Sequence, residues 1–283
     1  PDALHTLKVG RLRTLEIRGL AGQVGHQQWF IKPEAEATLR ELGERGDIIK
    51  RMHRALTTSG IERGSASYVL AGESLDVPVI GRLVERGLDD ELKGTAYAVV
   101  DGVDGRTHHI RLPHLDATGD SPPGSIVELR TYEDAKGDRR VAIAVRSDLD
   151  LQHQVSATGA TWLDRQSIAR EPVAMSDGGF GAEVRDAMRL RAEHLVGEGL
   201  AEQQGRRVIF SRNLIETLRR REVDAVAGRL AKETGQPFKP AESGEYVAGT
   251  YRQRLTLASG RFAMIDDGLG FQLVPWSPSL DKQ

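Results

Sequence analysis

The chain has 283 residues, a formal charge of −2 and no cysteine. That length accommodates two domains or several small ones, and the missing cysteine excludes disulfides, thiolate nucleophiles and cysteine metal sites. The near-neutral charge leaves any attraction for nucleic acid to local basic patches, and no apolar run reaches the roughly 18 residues that a membrane-spanning helix needs. A folded protein of a reducing cytosol is the expectation, with no membrane partner. The start at Pro1 and the stop at Gln283 are what a segment of a longer polypeptide would show.

In chain order, His5 to Arg18 reads as a helix, with Leu4, Leu7, Leu12 and Leu15 as an apolar stripe. Gly19 supplies the stop, because a residue without Cβ adopts positive φ freely. Leu20 to Ile31 then predicts two short strands around a turn at Gly25, and Pro33 opens a helix running from Glu34 to about Thr57. Helix, glycine stop, hairpin and helix together form the last part of a winged-helix unit. Residues 59–93 give mixed signals and read as a connector. From Gly94 the apolar period becomes two: TAYAVV, THHIRL, SIVELRTY and RRVAIAVR are four strands separated by turn-rich segments. They suggest a small antiparallel barrel or compact sheet over 94–156. A connector with one short helix, in GATWLDRQSIA, covers 157–180.

The second half repeats the first phrase. Leu15 falls on Leu195, Gly19 on Gly199, Leu20 on Leu200, Ala21 on Ala201, Gly25 on Gly205 and Phe30 on Phe210, always 180 residues on. A second winged-helix-like unit with its long helix is therefore expected over 181–235, Ser211 or Asn213 capping that helix. Alternation returns in 236–283, read as the start of a second β domain. The expected fold class is α+β: two winged-helix-like units (the first over 1–58) interleaved with small antiparallel β-barrels or sheets, by internal duplication.

Candidate function rests on cations. Lys8, Arg11, Arg13 and Arg18 stand on the first helix against a lone Glu16. The helix before the hairpin of a winged helix enters the major groove, and the hairpin touches flanking phosphates. His26 at the first hairpin and Arg206 and Arg207 at the second fit that role. Arg185, Arg189 and Arg191 on the second helix are diluted by Glu183, Asp186 and Glu193 and read as a structural face. The run Arg219 to Glu222 spreads around a helix turn and reads as solvated.

His108 and His109 alternate across a strand and cannot chelate one ion together. Asp101, Asp104, Asp266 and Asp267 sit beside glycines and read as turn residues. GGFG at Gly178 reads as a flexible helix entry, Trp29, Trp162 and Trp276 as core anchors, and Phe262 and Phe271 as side chains able to stack a base. Phosphate-loop, dinucleotide, HExxH, GxSxG and calcium-loop patterns are absent. No catalytic constellation is visible, and a hydrolase site around Asp101, Asp104 and His109 is the remaining enzymatic alternative.

Four phrases carry a family resemblance: GRLVERGLDDELKGTAYAVVDGVDGRTHHIRLP, GATWLDR, GFGAEVRDAMRLRAEHLVGEGLAE and GRFAMIDDGLGFQLVPW. Together they resemble the carboxy-terminal region, a domain of unknown function, of plasmid-encoded relaxase/mobilization nucleases related to the T-DNA border endonuclease. The resemblance implies a parent protein that nicks one strand at a transfer origin through a tyrosine and a histidine-bound divalent metal. Those groups belong to an upstream nuclease domain. None of Tyr68, Tyr97, Tyr132, Tyr246 or Tyr251 matches that motif, so no catalytic residue and no cofactor is expected in this region. The expected role is binding plasmid DNA and/or relaxosome or type IV secretion partners during transfer. The alternative is a protein-interaction or translocation module without DNA contact.

Overall fold

The computed structural model describes residues 3–25, 28–70 and 75–282. Its contacts divide into two units, Pro1–Arg54 and Ala55–Gln283. The architecture is mixed α+β, with six α-helices and four sheets among the described residues.

The first unit holds α1 (Ala3–Ile17), the hairpin of β1 (Ala21–Gly25) and β2 (Gln28–Ile31), and most of α2 (Ala35–Thr58). Gly19 sits at φ 71°, and its N–H donates to the Glu16 carbonyl while that of Leu20 donates to the Leu15 carbonyl. This pair of bonds ends a helix through a left-handed residue, and only glycine adopts that conformation without steric cost. Residues 26 and 27, between the two strands in sequence, lie outside the described residues; Gly25, the expected turn, is itself a strand residue paired with Gln28.

In the second unit β3 (Tyr68–Leu70), β4 (Val79–Asp90), β5 (Thr95–Gly102), β6 (Thr107–Leu112), β7 (Ile126–Glu133) and β8 (Arg139–Ser147) form one sheet in the order β3-β6-β5-β4-β7-β8. β3 runs parallel to β6 and the other pairs are antiparallel. β3 and β8 remain edges, so the sheet does not close into the expected barrel. One face packs Leu83, Ala98, Val100, Ile110, Leu129 and Val141 together. β4 falls in the stretch read as a connector. Its pairing with β5 shifts register twice, between Leu83 and Glu85 and between Leu88 and Asp90, so its apolar residues never hold a period of two.

Helices α3 (Leu151–Val155), α4 (Trp162–Ile168) and α5 (Gly179–Gly197) follow. Val103, Ile126, Trp162, Leu163, Phe180, Val184 and Ala187 make the core that joins α4 and α5 to the sheet. The glycines before α5 are not a loose hinge: a Cβ on Gly181 would lie 2.5 Å from the Val103 carbonyl oxygen and 2.6 Å from the Ser176 nitrogen. The hairpin of β9 (Ala201–Gln204) and β10 (Arg207–Phe210) comes next, then α6 (Leu214–Thr234).

α5 ends as α1 does. Gly199 has φ 72°, its N–H donates to the Val196 carbonyl, and that of Leu200 donates to the Leu195 carbonyl. The two hairpins differ by one residue. Ala21 pairs with Ile31, whereas Ala201 pairs with Phe210. Phe210 is thus the counterpart of Ile31, and the sequence match of Phe30 with Phe210 is out of register. Gly205, at φ 61°, opens a two-residue turn, where Gly25 is a paired strand residue.

Asn213 sits at the start of α6 with φ 56° and makes no side-chain cap bond, so the expected cap is not formed. Leu214 and Leu218 of α6 pack with Leu195 and Leu200, while Ala227 and Leu230 cover the antiparallel sheet of β11 (Thr250–Leu257), β12 (Gly260–Asp266) and β13 (Phe271–Pro275). Phe262 and Phe271 are buried in that core, which removes them as base-stacking platforms.

Candidate nucleic-acid interface

α1 buries none of its residues, and Lys8, Arg11, Arg13 and Arg18 are all exposed. None of the four forms an ion pair with a described residue. Arg206 in the hairpin turn and Arg207 at the start of β10 are also exposed and unpaired among the described residues, as is Arg212 just beyond β10. Sequence reasoning passed over Arg212, although its place directly after the strand was the available signal. His26 lies outside the described residues. The four cations of α1 do not share one side: at about 100° per residue, Arg11 and Arg13 point away from each other.

The arginines of α5 are occupied, although only Arg189 pairs with one of the acidic neighbours on the helix. Arg185 binds Asp177 at 3.0 Å and the Ser176 carbonyl, and Arg189 binds Glu193 at 2.8 Å. Arg191 is buried. Its Nε donates to Asp164 Oδ1 at 2.8 Å and its Nη2 to Asp164 Oδ2 at 2.9 Å, while Nη1 and Nη2 also reach the carbonyls of Ala157 and Gly159. Thr161 and Asp164 form a reciprocal capping box at the start of α4, which fixes the carboxylate in place.

A second charge cluster ties α5 to the sheet. Asp101 is fully buried and accepts from Arg63 Nε at 3.0 Å, Arg63 Nη2 at 2.9 Å and Arg82 Nη2 at 2.8 Å. Glu183 completes it, 2.6 Å from Arg63 and 3.1 Å from Arg82. Asp101 is therefore a structural anchor and not a turn residue. Asp104 does serve a turn, accepting from the Arg106 amide, and it also pairs with His108 Nε2 at 2.8 Å. Burial opposes its ionisation, but the His108 and Arg106 bonds outweigh burial and hold its pKa below the ordinary carboxylate range.

His109 is buried and stacks on Tyr97 with ring centroids 5.4 Å apart. Each carboxylate of the possible hydrolase group is thus committed to its own partner. Asp266 and Asp267 accept amide bonds in their turn as read, and Asp266 also takes Arg252, Asp267 Lys239. Among the described residues no three His, Asp or Glu side chains converge as a metal site.

Glu222 and two of the three tryptophans depart from their sequence readings. Glu222 is buried and accepts from the Ala258 and Ser259 amides and the Ser259 hydroxyl, so the Arg219–Glu222 run is not simply a solvated face. Trp162 is a core residue, but Trp276 is half-buried, with the guanidinium groups of Arg254 and Arg261 over its ring at 4.9 and 5.5 Å. Trp29 is half-buried as well. No described helix is long and apolar enough to cross a membrane.

The class these elements define is an α+β protein in which buried or half-buried arginines such as Arg63, Arg82 and Arg191 pair with carboxylates, while Arg11, Arg13, Arg18, Arg206, Arg207 and Arg212 of the two helix–hairpin segments pair with none among the described residues. The family described as protein of unknown function (DUF3363) matches residues 8–136 and 129–283, and the chain belongs to it. Comparison with curated proteins and with solved structures gave no match.

Proposed function

We propose that this chain is a non-catalytic region of a relaxase/mobilization nuclease, and that it holds DNA by its phosphate backbone during plasmid processing and transfer. The carrying observation is the free cations: Lys8 and Arg13 on α1, Arg18 just past its end, and Arg206 and Arg207 at the second hairpin have no carboxylate partner among the described residues. Unpaired cations on a helix end and a hairpin tip suit phosphate oxygens, which position a protein on DNA without reading its sequence. His26 joins that set by its place in the first hairpin.

The same proposal extends to the fold and its descent. The helix–glycine–hairpin–helix segments are winged-helix units, and they descend from an internal duplication. The matching helix terminations at Gly19 and Gly199 support both. The relaxase context comes from the resemblance of four sequence phrases, and with it the expectations of a cytoplasmic bacterial location, relaxosome or secretion-system partners, and a divalent metal only in an upstream nuclease domain.

The test is anisotropy of labelled duplex and single-stranded DNA over a salt series. Replacing Lys8, Arg13 and Arg18 by Gln, or Arg206 and Arg207 by Gln, should weaken binding and flatten the salt slope by roughly 0.9 per lost duplex contact. Unaltered affinity and slope in both variants would remove the DNA role. A second reading, docking of protein without DNA, is favoured by the exposed apolar residues of α1, with Leu4 57% and Leu7 71% exposed.

A further inference from the structure

Arg11 stands at a different register position from Lys8, Arg13 and Arg18. At the 180-residue offset that equates Leu15 with Leu195 and Gly19 with Gly199, Leu4 falls on Val184, Leu7 on Ala187 and Arg11 on Arg191. Every one of those α5 residues is buried: Val184, Ala187, Arg191 and Leu195 form the inner face of α5. On α1 the same four positions make a stripe of one arginine among three leucines, and none of them is buried. Arg13 and Arg18, by contrast, fall on Glu193 and Glu198, which are exposed. Lys8 falls on the half-buried Met188.

On α5, Val184 and Ala187 pack with Trp162 and Leu163 of α4 and with Val103 and Ile126, with Leu151 and Val155 of α3 beside them, whereas Leu195 packs with Leu200, Leu214 and Leu218. Arg191 takes the Asp164 carboxylate, itself locked by the Thr161 capping box, and the carbonyls at the end of α3. Such a site combines an apolar wall with one oriented carboxylate and bare carbonyl groups. The Leu4, Leu7 and Arg11 part of the stripe matches that combination in polarity and charge. The stripe is a poor match to a phosphate backbone, because three of its four side chains are apolar.

We propose that the Leu4–Leu7–Arg11 face of α1 docks a short protein helix pair built like α3–α4, whose capping-box carboxylate pairs with Arg11. This inference rests on reading α1 and α5 as equivalent helices and not on DNA binding by the remaining cations.

The experiment places a copy of residues 148–180 directly before Pro1 of the full chain, which restores the spacing that these elements have before α5. Amide hydrogen exchange of residues 3–17 is then compared with that of the original chain. At least a tenfold slowing is expected in α1, and it should vanish when the grafted Asp164→Asn is introduced or when Arg11→Met is made. The same segment orders against α5 within the same molecule, so a graft that leaves α1 exchange unchanged overturns the proposal. Protection of α1 in the ungrafted chain that scales with concentration and disappears in Leu7→Glu would assign the face to a second copy, and would overturn it also. Arg11→Met should leave DNA affinity and its salt slope as they are; a loss equal to that of the Lys8, Arg13 and Arg18 variant would make Arg11 a phosphate contact instead. Failure of all DNA binding leaves the exchange result standing, so the two readings fail separately.

Discussion

Arg191 and Asp164 form a bidentate ion pair in which the arginine side chain is 1% exposed and the aspartate 0%, joining the middle of α5 to the first turn of α4. Burying two charges costs several kcal/mol per ion, and the pair offsets this only because every remaining donor also finds an acceptor. Removing one partner leaves the other charged and unsolvated. Asp164→Asn and Arg191→Met should each destabilise the fold by about 3–5 kcal/mol in urea unfolding, while the double variant with Leu at 164 and Met at 191 should recover part of that loss. Equal losses in the single and double variants would mean that the pair itself is not what holds the helices together.

The two glycines at Gly181 and Gly10 make opposite predictions from one chemical change. A methyl group on Gly181 meets the Val103 carbonyl oxygen at 2.5 Å and the Ser176 hydroxyl at 2.6 Å, and both belong to the packed junction of sheet and helix. Gly181→Ala should therefore cost on the order of 1–3 kcal/mol through overpacking. Gly10 lies within α1 with nothing inside 4 Å of an added Cβ. Gly10→Ala should strengthen α1 by up to about 1 kcal/mol, the difference in helix propensity. Circular dichroism and amide exchange of α1 would register the gain. Loss of helix in Gly10→Ala would show that this position is covered.

What could be read from the sequence and what could not follow a physical division. β5 to β8 were legible because each has a period of two and ends at glycine-bearing turns. The ends of α1 and α5 were legible because Gly19 and Gly199 are the residues that a left-handed stop requires. β4 was not, since its register shifts break the alternation and Gly81 and Gly87 imitate turns; in fact a Cβ on Gly87 would press on the Tyr97 ring at 3.1 Å. The Arg63–Asp101–Arg82–Glu183 cluster was invisible because its members lie up to 120 residues apart and no spacing rule joins them. Arg191 shows a further limit. An arginine beside glutamates reads as surface, and only its neighbour on α4 makes burial possible. The same ambiguity applies to Arg11, which the proposed docking of α1 would take out of the DNA-binding set.

Acid should loosen the sheet edge through Glu128. This residue of β7 is nearly buried and is bracketed by Arg130 at 2.6 Å and by Arg146 of β8. Burial alone would raise its pKa, but the two guanidinium groups prevail and hold it below the usual carboxylate range. A depressed folded-state pKa means that the unfolded chain binds the proton more readily. The stabilisation is therefore complete above the unfolded value of about 4.3 and is lost as pH falls through the lower folded value. Glu128→Gln removes this contribution at neutral pH and should flatten the dependence of stability on pH in the acid range, measured as urea midpoints between about pH 6 and pH 3. A variant that keeps the full acid slope of the parent would assign that slope to the other lowered carboxylates, such as Asp104 and Asp120, and not to the β7–β8 edge.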